Sequence, residues 1–129
     1  MGWVRARRAR LDLALAEAIV AACAHEDHTE LAPLLRPRVR VTTAASARTV
    51  PAKDAAASIL EAATGREPRQ HSVNGRPALV LRRAGRVEVI IVLATRGARV
   101  AELWIVTDRA RLLGWNPEGP VTDPTSPWS

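Results

Sequence analysis

Apolar residues recur at helical spacing near the start of the chain. Leu11, Leu15, Ala18, Ile19 and Ala22 fall on one stripe, which predicts an amphipathic helix over about residues 5–24. Arg8 and Asp12 stand one turn apart on it, a spacing suited to an ion pair. His25-Glu26-Asp27-His28 breaks the pattern. A short second helix follows, capped by Asp27 or Thr29 with Glu30 in its first turn, and ends near Leu35. Pro33 is tolerated only in a first turn, which favours Thr29 as the cap, and Pro37 stops the helix. Val39-Arg40-Val41-Thr42 alternates as a short strand, with Arg48-Thr49-Val50 returning beside it. Pro51 opens a third helix to about Thr64, whose inner face is Ala52, Ala56, Ile59, Leu60 and Ala63, and Gly65 ends it.

From residue 68 the period of the pattern switches to two. Asn74-Gly75, Ala84-Gly85 and Arg96-Gly97 are turn signals that separate apolar segments at about 68–73, 77–83, 86–95 and 99–107. They predict a four-stranded antiparallel meander, with one last helical turn between Asp108 and Trp115. Residues 1–115 are expected to form a single domain; residues 116–129, with four of the nine prolines, read as a tail or strap.

Two-residue loops at each turn set a register, and with it two faces. One face would gather His71, Val73, Ala78, Val80, Arg82, Val87, Val89, Ile91, Leu93, Val100, Glu102, Trp104 and Val106. The other would gather Gln70, Ser72, Leu79, Leu81, Glu88, Ile90, Val92, Ala101, Leu103 and Ile105. Both are apolar at their centres, and one layer of helices covers only one of them. The reading therefore expects a homodimer through the face with Leu79, Leu81, Ile90, Val92, Leu103 and Ile105. His71, Arg82 and Glu102 are polar groups set among Val, Ile and Trp, so the candidate ligand-binding residues are His71, Arg82, Trp104 and Glu102. His71 and Glu102 are also the candidate catalytic acid and base. In this register His71, Ala78, Ile91 and Glu102 form one row, which sets His71 about 14 Å from Glu102, on opposite walls of a ligand space.

Composition changes the picture in two ways. The chain has 129 residues and a net charge of +6, and 18 of its 19 basic residues are Arg. Residues 1–64 carry nine bases and seven acids and residues 65–129 carry ten and six, so the charge is spread along the chain. A GC-rich genome accounts for such a bias, and the spread argues against a nucleic-acid footprint; the one local cluster is Arg5, Arg7, Arg8 and Arg10. The chain has no Phe and no Tyr, which excludes a base-stacking surface of the usual kind. The lone Cys23 gives no disulfide framework, and Asp12 and Glu17 interrupt what would otherwise resemble an export signal, so a cytoplasmic setting without membrane insertion is expected. His25 and His28 lack a metal-site spacing, and no cofactor or metal is expected.

The order of elements resembles the cone-shaped nuclear-transport-factor-2-like (cystatin-like) α+β fold, with N-terminal helices packed on a curved antiparallel sheet. Within it the chain looks similar to SnoaL-like domains, most of all to the one at the C-terminus of some extracytoplasmic-function sigma factors. The stretches that carry the resemblance are Leu31-Ala32-Pro33-Leu34-Leu35-Arg36-Pro37-Arg38-Val39-Arg40-Val41 and Val73-Asn74-Gly75-Arg76-Pro77-Ala78-Leu79-Val80-Leu81-Arg82. It covers about residues 8–115, and departs where the family's polar hairpin is reduced to Ala44-Ala45-Ser46-Ala47 and its ending is replaced by Thr107-Asp108-Arg109-Ala110-Arg111-Leu112. With only about ten residues before the first helix, no sigma-factor helices are expected ahead of the domain, and the resemblance implies fold and pocket, not promoter recognition.

Catalytic members, polyketide cyclases and ketosteroid isomerases, use an Asp base and often a Tyr or Asp oxyanion donor; this chain lacks Tyr, and Val39–Thr43 offers no carboxylate. The leading expectation is a non-catalytic pocket for a small apolar or amphipathic molecule with a regulatory role. The alternatives are a cofactor-free acid–base enzyme of cyclase or isomerase type, and a transcription-related domain that meets RNA polymerase or nucleic acid through Arg5–Arg10 and the Arg-rich hairpin of Arg82, Arg83 and Arg86.

Overall fold

The computed structural model describes residues 2–116. Helix α1 (Gly2–Ala24) is followed by α2 (His28–Leu31) and a 3-10 turn (Ala32–Leu34). Strands β1 (Leu35–Thr42) and β2 (Ala47–Pro51) lead into α3 (Ala52–Ala63). Strands β3 (Glu67–Val73), β4 (Arg76–Arg83), β5 (Arg86–Arg96) and β6 (Arg99–Val106) form the meander, and α4 (Arg109–Leu112) follows. The expected tail lies outside the described residues but for Asn116. Six strands make one sheet in the order β2-β1-β6-β5-β4-β3. It is antiparallel except where β1 runs parallel to β6, the contact that joins the first strand pair to the meander.

Helix α1 buries Leu15, Ala16, Ile19, Ala22 and Cys23, while Leu11 and Leu13 on its first half are about half exposed. It ends with Glu26 at φ 51 and with the Asp27 amide donating back to the Ala22 carbonyl, a left-handed stop normally filled by Gly. Asp27, not Thr29, caps α2: its Oδ1 accepts from the amides of Thr29 at 2.9 Å and Glu30 at 3.2 Å. The helix closes after one turn and Pro33 falls in the 3-10 turn, which removes the constraint that favoured Thr29. Pro51 and Pro68 lie on the two edge strands, where a missing N–H leaves no central ladder bond unmade.

The three hairpins of the meander turn through two residues with positive φ, as a right-handed twist requires. The third uses Gly97 and Ala98, at φ 61 and 62, one residue later than Arg96-Gly97, and so pairs Arg96 with Arg99. Two bulges then decide the faces. Arg82 pairs with Val87 but Leu81 with Val89, so Glu88 is an extra residue on β5. Thr95 pairs with Val100 but Ala94 with Glu102, so Ala101 is an extra residue on β6. Glu88 is held by two guanidiniums, Arg66 Nε at 2.8 Å and Arg83 Nε at 2.9 Å.

The bulge overturns the expected register. Leu79, Leu81, Val89, Ile91, Leu93, Val100 and Leu103 share the helix-covered core with Val39 and Ile59, and Ile105 packs against it. The dimer face as first drawn does not exist: Leu79, Leu81 and Leu103 lie beneath the helices, whereas Ile90 and Val92 join Ala78, Val80 and Val87 on the opposite, outer face. Turn α4 covers part of that outer face with Leu112 and Trp115.

Candidate functional site

The interior of the cone is packed. Leu79, Leu81, Ile91, Leu93 and Leu103 have no exposed surface, and the one buried polar residue among those described, Asn116, lies against Val87. Open clefts lie instead at the rim. Where α1 crosses the β3–β4 hairpin, two clefts of about 280 Å³ and 320 Å³ share Asp12, Gly75 and Pro77. The first adds Leu13, Gln70, His71 and Ser72; the second adds Arg8, Arg76 and Thr95. Asp12 accepts a 2.8 Å hydrogen bond from the Thr95 hydroxyl, which ties α1 to β5 in place of the expected pair with Arg8. On the far side of α3 a shallower groove of about 540 Å³ has Ala62, Val89 and Ile105 as apolar lining and Ser58, Glu61, Glu88 and Thr107 as polar lining.

The four candidate ligand-binding residues share the outer face but do not form one cluster. The row across the sheet is His71, Ala78, Val92 and Trp104, so Trp104 takes the place expected for Glu102, and Val92 that expected for Ile91. The later third turn and the two bulges cause this shift. His71 stands edge-on to Trp115 with ring centroids 5.3 Å apart. Burial, then the charges of Arg82 and Arg69, pull its pKa below the usual histidine value. Arg82 turns its Nη1 into buried space where none of the described residues meets it with an acceptor. Glu102 lies 3.7 Å from Arg40 on the neighbouring strand. Arg76 stacks its guanidinium 5.0 Å over the Trp104 ring. His71 and Glu102 thus belong to separate groups, with two strands between theirs, and no proton passes directly from one to the other.

Asp12, Thr95, Gln70 and Ser72 are rim residues that the pattern reading missed. One signal was present: Asp12 interrupts the apolar region of α1 close to the side that enters the core. In the histidine loop, His25 Nδ1 donates to the Glu30 carboxylate at 3.0 Å, and that hydrogen bond raises its pKa. Cys23 is buried, and burial pushes its thiol up to about 11, which leaves it a thiol at neutral pH.

No family model matches the sequence, and no curated protein sequence does. Solved structures do match. The chain is similar to an LEH-like epoxide hydrolase of Mycobacterium tuberculosis at 14% identity and a TM-score of 0.54, over 81% of this chain and 87% of that one. An NTF2-like protein of unknown function from Cytophaga hutchinsonii matches at 9% identity and a TM-score of 0.52, over 77% and 91%. The extracytoplasmic-function sigma factor SigJ of Mycobacterium tuberculosis matches at 21% identity and a TM-score of 0.56, over 77% of this chain and 42% of that one. The architecture is therefore the nuclear-transport-factor-2-like α+β cone, as the order of elements implied.

Proposed function

We propose that this chain is a non-catalytic binding or regulatory domain that takes a small apolar or amphipathic molecule at the rim clefts between α1 and the β3–β4 hairpin. One observation carries the reading: the helix-covered interior is filled with aliphatic side chains, and none of its buried residues among those described is a carboxylate or an imidazole. Acid–base catalysis on a carbon acid needs such a group beside the substrate in a space closed to water. The rim offers what binding needs, the Asp12–Thr95 pair with Gln70 and Ser72 as polar contacts, and Leu13 and Pro77 as apolar ones. The lone Cys23 is in keeping with a cytoplasmic setting.

Titration with decanol and with decanoate, followed by amide chemical shifts, tests this. Saturable shifts at Leu13, Gln70, Ser72 and Thr95 with the ligand recovered unchanged are the expected result; shifts confined to other regions overturn it.

A second reading is a cofactor-free acid–base enzyme. It is favoured by the carboxylate of Asp12 at the rim and by the fold likeness to an epoxide hydrolase. Hydrolysis of styrene oxide that disappears in Asp12→Asn would establish this reading in place of the first. A homodimer is also proposed, through the outer face where Val92, Trp104 and Val106 remain partly exposed.

A further inference from the structure

We propose that the outer face of β3 and β4 carries a second site, for a small oxyanion, built by Arg82, Arg69 and His71 beside Trp115. It shares His71 with the first rim cleft but does not depend on the reading of those clefts. The starting point is Arg82 Nη1, a buried side-chain atom that has no hydrogen-bond partner among the described residues. A guanidinium carries five N–H donors, accepts nothing and does not give up its charge, so a buried donor of this kind calls for an acceptor.

The neighbouring carboxylates are committed elsewhere. Glu67, cross-strand from Arg82, pairs with Arg69 at 2.9 Å, and Glu88 is shared by Arg66 and Arg83. Two further basic groups, Arg69 with its Glu67 partner and His71, stand on the same face as Arg82. Arg69 and His71 lie on the same face of β3, and the fields of Arg82 and Arg69 both reach the His71 ring. Trp115 stands against that ring, and Val80, Val87 and Leu112 pack into the same outer-face cluster. A low-dielectric wall of this kind strengthens a charge-assisted hydrogen bond to an anion and raises the cost of leaving the donor unpaired.

A carboxylate or a phosphate supplies the missing acceptor, and its charge offsets the mutual repulsion of the cations. The ligand is small, because Leu112 and Trp115 already cover part of the face. The full chain is to be titrated with inorganic phosphate and, separately, with acetate, at constant ionic strength set by chloride. The His71 ring resonances and the thermal midpoint are followed. Saturable binding is expected, with the His71 pKa moved upward as the anion offsets the two arginines. Arg82→Gln should weaken it at least about tenfold, while Arg82→Lys keeps part of it. A preference for phosphate or for acetate identifies which source of the oxyanion the site takes. The proposal is overturned if chloride alone reproduces the response, if neither anion binds, or if Arg82→Gln binds as the parent does. Should Arg82→Gln fail to fold, Arg69→Gln, at a largely exposed side chain, serves instead; a several-fold loss supports the site and an unchanged affinity overturns it.

Discussion

Asn116 ties the end of the described chain to the sheet: its Oδ1 accepts from the Val87 amide at 2.7 Å and its amide donates to the Val87 carbonyl. Val87 needs such a partner because the bulge at Glu88 interrupts its ladder. Asn116→Ala leaves both backbone groups buried and unmatched, and is expected to lower stability by about 1–3 kcal/mol in urea unfolding. The two shifted histidines act on stability in opposite directions. The folded-state pKa of His71 is below 6.5, so the unfolded chain takes the proton more readily; its contribution is present above pH 6.5 and is lost as pH falls below it. The pKa of His25 is raised, so its contribution is present below pH 6.5 and is lost as pH rises through the folded value. Urea midpoints between pH 7.5 and 5.5 should therefore fall less steeply toward acid in His71→Gln than in the parent. An equal slope in both would show that His71 does not sense its surroundings as described.

At the scale of elements, much of the layout was legible because turn chemistry and periodicity act locally. Asn74-Gly75 and Ala84-Gly85 turn where expected, and α3 buries Ala56, Ile59 and Ala63 as its spacing requires. Glu88 was not legible as a bulge, since an alternating run gives no sign of where one residue is doubled; its two arginine partners come from α3's C-terminal loop and from β4. The first turns of α1 differ from the expectation of a buried stripe. Residues 6–11 are exposed, with Leu11 at 47%. Deletion of residues 1–7 is accordingly expected to shift the thermal midpoint by no more than about 2 °C, a change of well under 1 kcal/mol. Retention on DNA that is salt-sensitive and vanishes with this deletion would instead favour the nucleic-acid alternative for the Arg cluster.

For the whole molecule, the outer face sets the expected assembly. Trp104 is half-buried there with Arg76 over its ring, and it stands in the middle of the six-stranded row. If a second copy covers this strip, Trp104→Glu places a charge in an apolar contact and should yield monomer by sedimentation while the far-UV spectrum is retained. A parent chain that sediments as a monomer at high concentration removes the dimer proposal.

The sequence by itself determined the order of the main elements and the apolar character of both sheet faces, because helix period, strand alternation and Gly-containing turns are short-range properties; the cone was implied by the family resemblance that this order carries. It also brought His71 and Arg82 to one face, since β3 and β4 are joined by an Asn-Gly turn without a bulge before Leu81. Only the tertiary structure decided which residues of β5 face the helices, that Leu79, Leu81 and Leu103 fill the interior, and that Asp12 meets Thr95. Each of these depends on contacts between distant segments, where one doubled residue reverses every side chain beyond it.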